Sequence, residues 1–346
     1  MKREEILDWL KEESDEKLGA LWSRADAVRA EQVGSEVHLR GLIEVSNHCV
    51  RRCAYCGINA DNTRIQRYRM TEDEIMACVR KAVAFGYGTV ILQAGEDYSI
   101  STAFVSRVIR RIKSETQLAV SLGLGERPAK ELTAWRKAGA DRYFLRFETS
   151  DPSLYERVHP SLPRRRSDRL ATLRKLKELG YEAGSGVMLG IPGQTYASLA
   201  DDLDLFKALD LDMVGVGPYI RHPDTPLGRE EKSHKLLAGR NQVPNTELMT
   251  YKFVALARLL CPGVNIPTTS ALASLNRETG YELGLSRGSN VIMPNLTPSQ
   301  YRVLYEIYPA KAMASDSPEE FQARLSKRLK AMGRSIGKGP GGRKKC

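Results

Sequence analysis

Eight short apolar runs, with helical periodicity between them, restrict the fold more than any other feature of this sequence. The runs are Gly41–Val45, Thr89–Gln93, Leu118–Leu122, Tyr143–Phe147, Gly186–Leu189, Met213–Val216, Val264–Pro267 and Asn290–Met293. Between them lie amphipathic stretches at Thr71–Phe85, Ser101–Ser114, Pro128–Ala138, Ser167–Leu179, Ser198–Leu209, Thr246–Leu260 and Tyr281–Arg287. Near-continuous apolar strands alternating with helices describe a parallel sheet covered by helices. Eight such units predict an α/β fold, a complete (β/α)8 TIM-type barrel. Local signals agree. Thr71 and Glu74 stand at capping-box spacing, and glycines follow helix ends in AFGYGT and ELGYEAG. A doubly wound open sheet would want a glycine-rich GxGxxG turn after the first strand. That position holds Asn47-His48-Cys49 instead. Residues 1–38 read as an N-terminal helical extension of two helices, expected to close the barrel bottom. The barrel itself is expected over 39–310, and a C-terminal helix and basic tail over 311–346.

The 346 residues carry 53 Lys+Arg against 42 Asp+Glu, a net charge of +11. The excess is spread out, with local concentrations at Arg164–Arg166 and at Lys338–Lys345. No RNA-binding signature or row of stacking aromatics accompanies it, so the charge reads as a solvated surface without a nucleic-acid partner. The glycine-rich end of the tail is expected to be mobile. No run of apolar residues is long enough to cross a membrane, and the charged start MKREEILDWLKEESDEK does not read as a signal peptide. Six cysteines in a chain of this length are too sparse for a disulfide framework. A reducing, cytoplasmic setting is expected.

Three of the six, Cys49, Cys53 and Cys56, form CxxxCxxC directly after the first strand. Three thiolates fall one short of a closed structural zinc site. They suit a [4Fe–4S] cluster with one iron open to a non-protein ligand. Zinc with His48 as fourth ligand is the competing reading, disfavoured because adjacent residues strain to reach one tetrahedral ion. Cys78 reads as core, and Cys261 and Cys346 have no ligand role. The motif, with Tyr55 before its last cysteine, resembles the signature of the radical S-adenosylmethionine superfamily. That resemblance implies that the open iron holds the amino and carboxylate groups of S-adenosylmethionine. Reductive cleavage then yields a 5′-deoxyadenosyl radical.

A barrel builds its site from the loops at the C-terminal strand ends. Polar and glycine-rich segments stand there, at Gln93–Asp97, Gly123–Glu126, Gly190–Thr195, Gly217–Pro226, Thr268–Ser270 and Pro294–Tyr301. A zwitterionic cofactor needs a carboxylate for its ammonium and a guanidinium for its carboxylate. Glu148 and Arg169 are the candidates, and Arg146 alternates with Glu148 on its strand so that both face inward. Tyr55 and Met188 are candidates for adenine contact. Arg146 and Arg142 read equally well as ion-pair partners within the barrel. Glu126 reads as a helix N-cap, and His222 equally as a turn residue or a base.

Longer blocks resemble one family within the superfamily. RYRMTEDEI (Arg67–Ile75), LQAGED (Leu92–Asp97), ADRYFLRFET (Ala140–Thr149), GVMLGIPGQT (Gly186–Thr195), DMVGVGPYIRHPDTPL (Asp212–Leu227) and NVIMPNLTPSQYRVLYEIYP (Asn290–Pro309) are similar to HydE, the radical maturase family of [FeFe]-hydrogenase. The likeness runs from about Glu36 to Gly342. It implies one oxygen-sensitive cluster on Cys49, Cys53 and Cys56. It implies a cofactor held by Glu148 and Arg169 with Gln93 and Ala94 close by. Tyr305, Thr269 and Ser270 are expected near the substrate, with Tyr305 as a catalytic candidate and Arg142 as a further substrate contact. The implied partners are a small-molecule or organometallic substrate in an internal cavity, a low-potential donor such as ferredoxin or flavodoxin, and other hydrogenase maturases. The implied chemistry builds the dithiolate bridge of the hydrogenase cluster. Tyr308–Lys327 contains no cysteine, so no accessory cluster is expected. Methylornithine synthase is a nearer rival family than biotin synthase, which needs cysteines this chain lacks. A non-catalytic scaffold stapled by metal is the rival of another class.

Overall fold

The computed structural model describes residues 1–163, 166–233, 241–309 and 317–343. Its strands are β1 (Glu36–Ser46), β2 (Thr89–Ala94), β3 (Ala119–Gly123), β4 (Arg142–Phe144), β5 (Glu182–Leu189), β6 (Met213–Pro218), β7 (Val291–Ile292) and β8 (Ser335–Ile336). The sheet runs β6-β5-β4-β3-β2-β1-β7, every named pair parallel, and β8 adds to the start of β1. The seventh apolar run, residues 264–267, closes the ring through single bridges. Asn265 pairs with Met213 of β6, and Pro267 pairs with Val291 of β7. The eightfold pattern is therefore a barrel, with its seventh stave reduced by a proline that has no N–H to give to a ladder.

Each strand sends alternate residues outward to the helices. Val37, Leu39, Ile43, Val90, Leu92, Val120, Leu122, Val214 and Val216 belong to one continuous core with the helical layer. Cutting a large aliphatic of such a layer to alanine costs about 2–5 kcal/mol. The inner face differs. It carries Glu44, Gln93, Ser121 and Arg146, with Gly184 and Gly186 on β5 and Gly215 and Gly217 on β6. The Phe144 ring lies over two of these glycines, at 2.5 Å from where a Cβ would stand on Gly184 and 2.6 Å on Gly215. Leu42 and Ile91 also stand on this face, so branched side chains occupy the lumen only in part, unlike the full layers of an ordinary barrel.

The capping box at Thr71 and Glu74 is present as the spacing predicts. The N-terminal helices, Arg3–Lys11 and Asp15–Val33, do not close the barrel bottom. They lie outside, against the helices Tyr196–Ala208 and Glu247–Leu260. The second of these is buried at every position from Met249 to Arg258, so it needs cover on its outer side too. Leu10, Leu21 and Ala25 are among the fully buried residues of the covering pair, and Lys252 Nζ reaches Leu10 O at 3.3 Å.

The bottom is closed by the far end of the chain. After the helix Pro318–Ala331, residues 337–343 cross the N-terminal ends of the strands. Gly337 N–H donates to Val37 O at 2.9 Å and Thr89 Oγ1 to Pro340 O at 3.0 Å. Arg40 Nη2 and Asn265 Nδ2 both donate to Gly341 O, at 3.1 and 3.2 Å. Arg343 pairs with Asp210 at 2.6 Å. The tail over this length is thus tied down at Gly337, Gly341 and Arg343, while Lys338, Gly339, Pro340 and Gly342 stay exposed, and Lys344–Cys346 lie outside the described residues. Arg164 and Arg165 also lie outside them. Among the described residues no helix is long and apolar enough to cross a membrane.

Candidate active site

At its C-terminal end β1 shifts register between Glu44 and Ser46 and releases the cysteine loop. That loop is long, and side chains replace the ladder that its backbone lacks. Arg67 donates to the carbonyls of Asn47, Ile58, Asn59 and Asn62. Asn47 holds Gln66 O and Leu304 O, both at 2.8 Å. Ser46 and Arg69 converge on Asp97, at 2.8 and 2.7 Å, tying the loop to QAGED.

Cys53 lies within electrostatic reach of both Cys56 and Cys49. Burial pushes Cys53 well up from the ordinary thiol range, and Cys56 and Cys49 add to the shift because each would place a second negative charge nearby. Cys49 is also raised by burial and takes a hydrogen bond from Glu96 N–H at 3.3 Å. Burial lowers the pKa of His48, and the charges acting on it are Arg69, Asp97 and Arg67 rather than the cysteines. Among the described residues no group of three or more His, Cys, Asp or Glu side chains is gathered as a ready site for a single metal ion. The donor chemistry, three soft thiols, fits an iron–sulfur cluster better than zinc.

Beside the thiols, Glu148 ends the β4 segment with φ +66. A non-glycine residue in the left-handed region is strained by roughly 1–3 kcal/mol, and such residues gather at functional sites. The surroundings enforce it: Glu148 N–H donates to Gly186 O and its carbonyl accepts from Met188 N–H, both at 3.0 Å. Its carboxylate receives Tyr55 OH at 2.9 Å and Arg146 Nε at 3.0 Å, with Arg169 Nη1 at 3.7 Å. Arg169 opens the helix Arg169–Glu178, which Asp168 caps. Its guanidinium folds back to Arg146 O and Glu126, and Nη2 donates to His159 Nε2 at 2.6 Å. The His159 proton therefore sits on Nδ1, and burial, then Arg169, holds this ring neutral with a pKa near 2. Burial opposes the charge of Arg169, yet Tyr155, Tyr55 and Glu148 outweigh it and raise its pKa. Met188 packs with Ala54, Ile191, Tyr219 and Leu227 in a small apolar cluster that Tyr55 joins.

Deeper in the lumen, Gln93 Nε2 donates to Tyr305 OH at 3.4 Å. Ala94 precedes Gly95, where a Cβ would meet His48 O at 2.2 Å. Thr269 caps the short helix Ser270–Leu275 and donates to Val216 O at 3.2 Å. Ser270 Oγ meets Tyr308 OH at 2.8 Å.

Two expectations need correction, and one open alternative is decided. Arg142 is not near these groups. It starts β4 at the opposite end of the barrel, where it pairs with Glu182 and donates to Thr89 Oγ1 at 2.8 Å. Glu126 is not an N-cap: Pro128 holds that position without a side-chain cap, and Glu126 turns inward to Arg51 and Arg169. Of the two readings of His222, the structure has the turn residue. Its Nδ1 accepts Asp224 N–H at 3.1 Å, and its Nε2 lies 2.5 Å from where a Cβ on Gly57 would stand.

Sequence reasoning missed Glu44, Glu96, His159 and Tyr308. Glu44 is fully buried and accepts Asn295 Nδ2 at 3.0 Å. A glutamate inside the apolar run GLIEV, in step with Ser46, was its available signal. Nothing local in the sequence marks His159.

Residues 43–206 match the radical SAM superfamily model. A protein of Thermotoga maritima described as "[FeFe] hydrogenase maturase subunit HydE" is 44% identical over 94% of this chain and 89% of its own length. The chain belongs to the HydE family of radical SAM enzymes. Membership brings S-adenosylmethionine and an iron–sulfur cluster as the family's cofactors. A 3-methylornithine synthase of Methanosarcina acetivorans is 29% identical over 84% of the chain and 78% of its own length. The solved structure of methylornithine synthase superposes with a TM-score of 0.80 over 97% of this chain and 94% of that one, at 24% identity. That likeness concerns the fold, the complete radical SAM barrel.

Proposed function

We propose that this HydE-family chain cleaves S-adenosylmethionine reductively over a [4Fe–4S] cluster held by Cys49, Cys53 and Cys56. The radical then acts on a small-molecule or organometallic substrate in the barrel lumen, as a step in building the dithiolate bridge of an [FeFe]-hydrogenase. The cluster, when bound, supplies the electron that breaks the cofactor's C5′–S bond and leaves methionine and a 5′-deoxyadenosyl radical. The chain's residues bind and orient. Glu148 receives the cofactor's ammonium, and Arg169 receives its carboxylate as a planar fork. Tyr55 and Met188 offer apolar surface to the adenine, and Ala94 and Gly95 let backbone come close. Arg146, part-exposed to the lumen, lies between cofactor and substrate. Gln93, Tyr305, Thr269 and Ser270 line the space beyond.

One observation carries this reading. Tyr55, Glu148 and Arg169 form one contact network at the C-terminal mouth of the barrel, and buried Cys53 lies within electrostatic reach of Glu148, Arg169 and the other two thiols. A stapled scaffold has no use for a strained glutamate facing a buried arginine there. The maturase assignment is supported by the 44% identity to the Thermotoga maritima protein. Ferredoxin or flavodoxin as donor, and contact with other maturases, belong to the same proposal.

Anaerobic reconstitution tests it. About four irons per chain are expected for three thiolates and one open iron. Dithionite with S-adenosylmethionine should then give 5′-deoxyadenosine, and a Cys53→Ser protein should not. One zinc and no cluster would remove the radical chemistry. The chain should also restore hydrogenase activity to cells that lack their own family member. Failure there, with 5′-deoxyadenosine still produced, would remove only the maturase role.

A further inference from the structure

Glu126 ends the GLGE turn after β3 and is buried, with 4% of its surface exposed. Its Oε1 lies 3.1 Å from Arg51 Nη2 and 3.2 Å from Arg169 Nε, and Ser167 Oγ donates to the same oxygen. Arg51 sits between the first two cysteines of the motif, and its side chain is 1% exposed. Its Nε is held by Glu96 at 2.8 Å, and Glu96 also accepts Glu126 N–H at 2.9 Å. From Arg169 the network continues to Glu148 at 3.7 Å and from there to Tyr55 and Arg146. One carboxylate therefore stands between two buried guanidiniums. One belongs to the cysteine loop and the other to the cofactor pocket.

We propose that Glu126 is a positioning residue that sets the cysteine loop and Arg169 as one unit. It anchors Arg51 beneath the loop and holds Arg169 off Glu148, so that both groups stay open for the cofactor's carboxylate and ammonium. The proposal rests on the reading that Arg169 receives that carboxylate. Its physics is direct. Without Glu126, two guanidiniums are left in a low-dielectric region with one fewer anion. Arg169 already lies 3.7 Å from Glu148. Released, it closes onto that glutamate, and each then masks the other from the ligand. Arg51 keeps Glu96, so the thiols remain placed and cluster assembly continues.

The test uses the anaerobically reconstituted full chain in three forms: wild type, Glu126→Ala and Glu126→Gln. Iron content and the electron paramagnetic resonance of the reduced cluster report loop integrity. Titration with S-adenosylmethionine, read on the cluster signal, gives one affinity. Equilibrium dialysis with methylthioadenosine, which lacks the amino-acid group, gives another. Glu126→Ala should keep its iron and bind S-adenosylmethionine about tenfold or more weakly, in the range found when a supporting partner is removed. Glu126→Gln, similar in shape but uncharged, should show the same direction and guards against a folding defect in the alanine protein. Toward methylthioadenosine the variants and wild type should be indistinguishable. An S-adenosylmethionine affinity within twofold of wild type for both variants would overturn the proposal. So would an equal loss for the two ligands, or loss of iron in both variants. A wild-type cluster signal indifferent to S-adenosylmethionine would instead overturn the cofactor reading beneath it.

Discussion

The two ends of the barrel both bury arginines, and they treat them in opposite ways. At the C-terminal mouth Arg169 has Glu126, His159 and Glu148 around it, and its neighbours favour the charged form strongly enough to overcome burial. At the N-terminal mouth, burial and then the like charge of Arg142 draw Arg40 down to about 9. Arg40 donates to Met213 Sδ and to Gly341 O, and its Nε has no partner among the described residues. The upper arginine is held in a surplus of acceptors beside a pocket. The lower one is tolerated because the tail supplies a carbonyl. A buried arginine is thus not a ligand site by itself: the top is built to receive charge, and the bottom is built to be shut.

Paired substitutions break or keep that contrast. Arg169→Ala should weaken S-adenosylmethionine binding by about 100-fold or more, the loss expected when a buried charge partner is removed from a ligand, with iron content unchanged. Arg142→Ala should leave that affinity within twofold. It should cost about 2 kcal/mol of stability, less than a fully buried pair because Glu182 is 29% exposed. Equal effects of the two on cofactor affinity would erase the distinction between the ends.

The bottom is tested by removing its closure. A chain ending at Ile336 should lose about 3 kcal/mol or more, because Arg40, Thr89 and Asn265 surrender acceptors while buried. Calorimetry should show the drop, and cofactor affinity should not move. Gly88→Ala makes a milder version of the same cut. A Cβ there would stand 1.6 Å from the Gly339 carbonyl oxygen, so the tail must lift locally. A truncated chain as stable as the full one would mean that the tail covers the bottom without supporting it.

The contrast also separates what the sequence made legible from what it hid. Hydrophobic period located all eight staves, since that signal is local. The cysteine triplet and the Glu148–Arg146 alternation are also local, and they lead directly to the upper mouth. The lower mouth depends on residues 337–343 meeting strand starts some 75 to 300 positions earlier, as Asn265 and Arg40 do. No periodicity encodes such pairings, so a glycine-rich basic tail that does face solvent in part gave no sign that its carbonyls anchor the strand starts. Arg142 failed for the same reason. Its spacing from Arg146 says that both face inward, but not that four residues of strand, about 13 Å, put them at different depths. Glu126 failed because an N-cap is the default for an acid before a helix, while its actual partners come from two distant segments.

A last contrast concerns a carboxyl group that has no arginine at all. Asp202, on the outer wall behind the Glu148–Ser150 turn, is fully buried. It accepts Ser150 N–H at 2.6 Å through Oδ1, while Oδ2 has no partner among the described residues. Burial raises its pKa to about 7, and the charges of Asp201 and Asp151 push the same way. A carboxyl whose folded pKa is raised stabilises the fold only while it stays protonated there. Its contribution is complete below the unfolded value near 4 and is lost as pH climbs toward 7. Asp202→Asn has no such titration. The stability difference, variant minus wild type, should therefore grow between about pH 4 and pH 7 and level off above. Denaturant melts at several pH values measure it. A difference that shrinks with rising pH would mean that an unseen cation holds Asp202 ionised. The upper wall would then pair its acids as completely as the upper mouth does.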